Sequence, residues 1–292
     1  MKPQRVTESE WDYLIVLDAC RYDTFESVYR EYVDGELEKR ESPGSATPEW
    51  AAKTFRGTHD ITYFSANPFI NGLGIPLNEL EWGASYDSDW TSTDHIATIH
   101  DVWDAAWNEE IGTVLPEDVN RYVQNRWAEV EESDQVIIHY MQPHAPFIDF
   151  GRGRKVNTIR KSFEEVKAKG ANAGQKNGFF SSVLDPVKPR LERILEGSEL
   201  AMKLGMLVEL DASSIFEVGS SGARKTLERY YTNNLRAVFP AAAELAGSLD
   251  GRVVITSDHG EAFGEQGIWE HHVETPIPEL LEVPWLEVEE TA

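Results

Sequence analysis

Four short apolar runs mark the chain: YLIVL at 13–17, ITYFS at 61–65, QVIIHYM at 135–141 and RVVIT at 252–256. The first is continuously apolar, as expected of a strand buried on both faces, and the others are further strand candidates. Helical patterns lie between them, over 21–33, from Pro116 to Glu132, and from about Arg224 to Ala246. This alternation predicts an α/β fold, doubly wound, with a mostly parallel central sheet and helices on both faces. LEVPWLEV near the C-terminus predicts one more strand, at an edge, because Pro284 has no N–H to give a ladder.

In such folds the functional site lies beyond the carboxyl ends of the strands. Asp18 follows the first run, His144 the third, and Asp258 with His259 the fourth. Any one of these has an ordinary explanation, since an Asp after a strand often caps a helix and a lone His is usually structural. Four at one sheet edge point to a site. Carboxylate oxygens with imidazole nitrogen suit a divalent cation such as zinc, manganese or magnesium. His139 lies on its strand and reads as core or support. His59, His95 and His100 fit no motif and read as structural.

The 292 residues suggest one large domain or two small ones, and nine Trp within a 41% hydrophobic composition supply a sizeable core. No apolar run approaches the ~18–20 residues of a membrane span, and MKPQRVTESEWDY lacks a signal-peptide core, so a cytoplasmic location is expected. The single cysteine, Cys20, excludes an internal disulfide. The formal net charge of −24 argues against a nucleic-acid partner, whose phosphates would be repelled. Such an excess of carboxylates keeps a protein hydrated in a salt-rich cytoplasm, and a halophilic source is expected. The charge is uneven: residues 151–229 carry 15 basic and 10 acidic residues, against 12 and 41 in the remainder. The chain reads as a single domain over 1–292, with 151–223 an insertion or cap whose cations would meet an anionic ligand.

Several segments together resemble the alkaline phosphatase/sulfatase superfamily of metal-dependent hydrolases, in a form of haloarchaeal type. They are LIVLDACRYDTF at 14–25, SPGSATPEW at 42–50, HYMQPHAPF at 139–147, VVITSDHGEAFGEQG at 253–267 and EHH at 270–272. The resemblance implies an alkaline phosphatase-like fold and at least one divalent metal ion (Zn, Mn, Mg or Ca). It implies Asp18, Asp258 and His259 as metal ligands. A late histidine also falls on the metal, His271 in preference to His272, which is otherwise a substrate contact. His144 matches a histidine that touches the oxygens of the transferred group or a second metal, and Arg21 and Ser45 are candidate substrate contacts. Some relatives hold a second metal with an Asp four residues before that histidine, where this chain has Tyr140.

The resemblance also implies a Thr, Ser or converted-Cys nucleophile at a helix start. Thr47 is preferred, because Pro48 and Glu49 make it a natural N-cap whose free N–H groups favour an incoming anion. Ser45 is the rival, because the usual spacing to the proline places Ala46 at the expected slot. Cys20 stands outside any C-x-P-S-R motif and reads as an inert buried thiol. The implied activity is hydrolysis of a sulfate or phosphate ester of a small molecule or saccharide. The alternatives are transfer of the phospho or sulfo group to a glycan or lipid headgroup, and an inactive anion- or glycan-binding homologue.

The acidity generates the first prediction. Self-repulsion grows when screening is lost, as the Debye length rises from about 3 Å at 1 M salt to about 30 Å at 0.01 M. The melting temperature should therefore fall between molar and millimolar NaCl. An unchanged value refutes the reading of the acidic surface as salt adaptation.

Overall fold

The computed structural model describes residues 1–80, 86–148 and 221–289. Its strands are β1 (Lys2–Pro3), β2 (Tyr13–Leu17), β3 (Gly35–Glu41), β4 (His59–Ser65), β5 (Ile96–Asp101), β6 (Trp107–Asn108), β7 (Thr113–Val114), β8 (Val136–Tyr140), β9 (Val253–Thr256), β10 (Ala262–Phe263), β11 (Trp269–Glu270) and β12 (Glu282–Val288). The described helices are α1 (Tyr22–Val28), α2 (Thr47–Thr54), α3 (Val102–Ala105), α4 (Pro116–Gln124), α5 (Trp127–Glu132), α6 (Ser221–Ser248) and α7 (Pro278–Leu281). Eight strands form one sheet in the order β1-β3-β12-β9-β2-β8-β4-β5. Only β12 opposes its neighbours; every other pairing in this sheet is parallel. The α/β class and the mostly parallel sheet are therefore as expected.

The four apolar runs become β2, β4, β8 and β9. Leu14 to Leu17 and all of β8 are fully buried, which is why these strands read as unbroken apolar stretches. Strands β3 and β5 escape that pattern because they are only partly buried. Three charges of β3 are matched locally: Lys39 pairs with Glu282, Glu38 with Lys2, and the Arg40 guanidinium lies 3.8 Å over the Trp285 ring. Helix α6 turns Tyr231, Leu235, Val238, Phe239, Ala242 and Leu245 into the core at helical spacing. The Asn120 side chain on α4 donates to the Ala241 carbonyl at 2.9 Å and fixes the two helices together.

Three expectations need correction or relocation. The C-terminal strand is not an edge: β12 pairs with β3 along its whole length and with β9 over Trp285–Glu287. Pro284 is tolerated because it lies one residue before the β9 register starts, and its carbonyl accepts from the Thr256 hydroxyl at 2.6 Å. The helix expected over 116–132 breaks between α4 and α5, where Arg126 leaves helical geometry (φ −123°, ψ 28°) and its guanidinium stacks 3.7 Å over the Tyr122 ring. The insertion expected at 151–223 lies outside the described residues except 221–223, the backbone of which opens α6. Among the described residues no helix is long and apolar enough to cross a membrane.

The interior position of β12 is testable. Leu286 is 0% exposed and lies opposite Leu37 and Ile255. Leu286→Ala should cost ~2–5 kcal/mol in urea unfolding, as for a core leucine. A loss below about 1 kcal/mol, typical of a surface site, would return the strand to an edge.

Candidate metal centre

Four adjacent strands, β9, β2, β8 and β4, end level with one another: Val16 lies opposite both Thr256 and His139, and Ser65 opposite His139. The chain leaves β2 into Asp18, β9 into Asp258 and His259, and β4 into Asn67, and reaches His144 four residues beyond β8. The turn after β2 is unusual. Ala19 holds φ at 59°, a left-handed conformation that a non-glycine residue takes rarely. Three bonds impose it: the Ala19 N–H donates to Asp258 Oδ1 at 3.0 Å, the Tyr231 hydroxyl donates to the Ala19 carbonyl at 2.5 Å, and the Cys20 N–H donates to Ser257 Oγ at 2.7 Å. After β9, Gly260 packs where a Cβ would stand 2.0 Å from the Glu279 carbonyl of α7, so no larger residue fits there.

Asp18, Asp258 and His259 each bring a ligand atom within 4.8 Å of the others, and form the one such group among the described residues. All three are at most 1% exposed. His259 Nδ1 lies 2.7 Å from the Gly260 carbonyl, which only accepts, so Nδ1 carries the hydrogen and Nε2 a lone pair. That lone pair faces Asp258 Oδ2 at 3.4 Å and Asp18 Oδ1 at 3.6 Å. Asp18 Oδ1 has no hydrogen-bond partner. The ring lone pair thus faces a partnerless carboxylate oxygen at a distance too long for a hydrogen bond, an arrangement that a divalent cation satisfies.

The electrostatics agree. Burial, and then the charge of Asp258, push the Asp18 carboxyl well above its usual range. Burial raises Asp258 too, but His259, His139 and the Thr47 hydroxyl outweigh it and hold this carboxyl low. Burial keeps His259 below the ordinary histidine value, which leaves the neutral ring that ligation needs. His139 stands behind Asp258, fully buried, with Nδ1 2.8 Å from the Tyr63 hydroxyl and Nε2 3.8 Å from Asp258 Oδ2.

Thr47 joins this group. Its hydroxyl donates to Asp258 Oδ2 at 2.7 Å and lies 3.3 Å from His259 Nε2. The expected N-cap role is not observed: Ala46 is the N-cap, Thr47 is the first helical residue, and no side chain caps α2. The hydroxyl hydrogen is committed to Asp258 instead. Gly44 lets the preceding loop fold onto the first turn, since a Cβ there would stand 2.3 Å from the Trp50 nitrogen. Asn67 completes the geometry, donating to Asp18 Oδ2 at 2.8 Å and Thr47 Oγ1 at 3.1 Å. Sequence reasoning misses Asn67; its only signal is a place two residues past β4.

The other candidates divide. His144 and His271 lie beside the group, with ring centroids 5.0 Å apart and His271 4.5 Å from His259. His144 Nδ1 faces the Ala145 carbonyl, and burial lowers this histidine to about 4. His271 is not among the three converging ligands; its Nδ1 lies 3.1 Å from Glu261 Oε2. Glu261, also unassigned from sequence, is pushed up to about 7 by burial. His272 is exposed. Arg21 binds Asp23, Glu265 and the Glu261 carbonyl, which uses four of its five N–H groups. The Ser45 hydroxyl is engaged by Glu49, the His272 carbonyl and the Thr275 N–H. Cys20 is buried, free and, through burial, raised well above the usual thiol value.

No protein-family model matches the sequence, and no curated protein matches it. Solved structures do. The soluble domain of lipooligosaccharide phosphoethanolamine transferase A from Neisseria meningitidis is 12% identical, with TM-score 0.48, over 99% of this chain and 80% of that one. The phosphonate monoester hydrolase of Agrobacterium radiobacter is 12% identical, with TM-score 0.48, over 95% and 67%. Against the integral membrane form of the Neisseria transferase, the chain spans about half the length, 49%, with TM-score 0.44 and 12% identity.

Asp18→Ala, Asp258→Ala and His259→Ala should each lower metal content by more than the roughly 10–100-fold typical of a supporting residue, with circular dichroism unchanged. Elemental analysis after gel filtration checks this. Normal metal content in all three variants overturns the site.

Proposed function

We propose that the chain is a metal-dependent ester hydrolase of the alkaline phosphatase/sulfatase superfamily, which cleaves a phosphate or sulfate ester with Thr47 as nucleophile. One observation carries the reading: the Thr47 hydroxyl is hydrogen-bonded to Asp258, inside the buried Asp18/Asp258/His259 group. A divalent ion held by those three residues would neutralise charge on the substrate oxygens and acidify the hydroxyl.

The chain's own residues do the rest. Asp258 Oδ2 receives the Thr47 hydrogen, and Asn67 donates to Thr47 Oγ1, so one lone pair of Oγ1 remains to face an incoming phosphorus or sulfur. Attack in line with the ester oxygen forms a covalent phospho- or sulfo-Thr47 and breaks the bond to the leaving alcohol. His144 is held neutral by burial, and an anionic group arriving beside it favours its protonated form, which can then donate to the leaving oxygen. His271 faces the same space, oriented by Glu261. Water then attacks the phosphorus or sulfur, giving a proton to His144; the bond to Thr47 Oγ1 breaks, phosphate or sulfate leaves, and Asp258 returns the hydrogen to Thr47.

Thr47→Ala should reduce turnover of p-nitrophenyl phosphate or p-nitrophenyl sulfate by about 10³-fold or more, as loss of a nucleophile does. Metal content should fall only moderately. The lost bond to a charged acceptor costs roughly 1–3 kcal/mol, too little to unfold a typical domain of ~5–15 kcal/mol. Thr47→Ser should keep measurable activity. Full activity in Thr47→Ala, with the metal-ligand variants dead, replaces the threonine by water as the attacking group.

A further inference from the structure

We propose that Ser45 and Glu49 form a clasp that positions His271 against the nucleophile helix, an inference that rests on the function proposed above. Glu49 is the third residue of α2 and is 3% exposed. One of its oxygens, Oε2, accepts from the Ser45 N–H at 2.9 Å, from Ser45 Oγ at 2.8 Å and from the Glu274 N–H at 2.9 Å. Ser45 Oγ in turn accepts from the Thr275 N–H at 3.0 Å and stands 2.7 Å from the His272 carbonyl. The two side chains thus hold backbone groups of His272, Glu274 and Thr275, the stretch that immediately follows His271.

That stretch needs holding. Glu270 and Glu274 have φ of 59° and 57°, left-handed values on either side of His271 in non-glycine residues. Such conformations persist only where the surroundings impose them. The ring of His271 is fixed from its other side by Glu261. The clasp residues flank Thr47 at two positions on each side, so the same carboxylate sets the start of α2 and the loop that carries the imidazole. This arrangement also accounts for Ser45: its single hydrogen has two acceptors and its lone pairs face the Thr275 N–H, so it has nothing to offer a substrate. A glutamate at this helix position ordinarily reaches back to the N-cap N–H; here it reaches one residue further, to Ser45, and outward to the loop.

The test uses the metal-loaded full chain and inorganic phosphate, with calorimetry, steady-state kinetics and amide hydrogen exchange. Glu49→Ala should weaken phosphate binding and lower kcat by roughly tenfold, within the range for a residue that orients another, with metal content retained. Exchange at Glu274 and Thr275 should accelerate. Glu49→Gln keeps an acceptor oxygen and should recover most of the loss. Ser45→Ala, the milder change, should show the same pattern at smaller size if Glu49→Ala proves poorly folded. The decisive arm is the pair: in a His271→Ala background, Glu49→Ala should add nothing, because both act through one imidazole. Multiplicative losses in the double variant, or unchanged exchange and phosphate affinity in Glu49→Ala and Ser45→Ala, overturn the clasp while leaving the function intact. An unsubstituted protein that neither binds phosphate nor turns over either ester overturns the functional reading, and the role of His271 with it.

Discussion

Two carboxylates, Asp18 and Asp258, are buried at neighbouring strand ends with almost no access to water. Like charges in a low-dielectric interior repel strongly and lose their hydration, so the pair demands compensation. Asp258 receives it from the Thr47 hydroxyl and from the Ala19 and His259 backbone N–H groups. Asp18 receives Asn67 on one oxygen and nothing on the other. The unmet demand of Asp18 Oδ1, opposite the bare nitrogen of His259, is what suits the group to a divalent cation.

The surrounding fold is arranged to keep that demand in place. The left-handed turn at Ala19 aims an N–H at Asp258, and Tyr231 on α6 braces it. Gly260 allows α7 to close against the Asp258-His259 turn, and α7 runs directly into β12, the strand that locks the sheet between β3 and β9. Gln4 adds a tie from the N-terminal segment, donating to Thr256 Oγ1 and the Ser257 carbonyl and accepting from Trp50 of α2. Helix α2 is thereby fastened to β9 both through its nucleophile candidate and through its first apolar turn.

Asp18, Asp258 and His259 were legible from the chain because each follows a continuous apolar run, and a parallel sheet delivers such residues to one edge. The same logic brings His144 to this edge, where its ring lies 5.0 Å from that of His271. It did not find Asn67 or Glu261, since neither residue type nor local spacing distinguishes a site asparagine from a turn asparagine. It also favoured a capping role for Thr47 that local chemistry suggests, whereas a contact 211 residues away in sequence claims the hydroxyl. Ser45 shows the reverse case, a motif serine whose partners are a loop that only folding brings near.

The central strands, the α/β class and the carboxylate–imidazole group were thus determined by the sequence itself, because burial on both faces leaves an apolar signature that needs no partner to be read. Tertiary structure alone decided the interior place of β12, the identity of the helix cap, the hydrogen-bond partners of Thr47 and the side on which His271 and His272 fall. Each of these depends on which donor meets which acceptor across hundreds of residues, and a buried polar atom takes whichever partner the packing supplies.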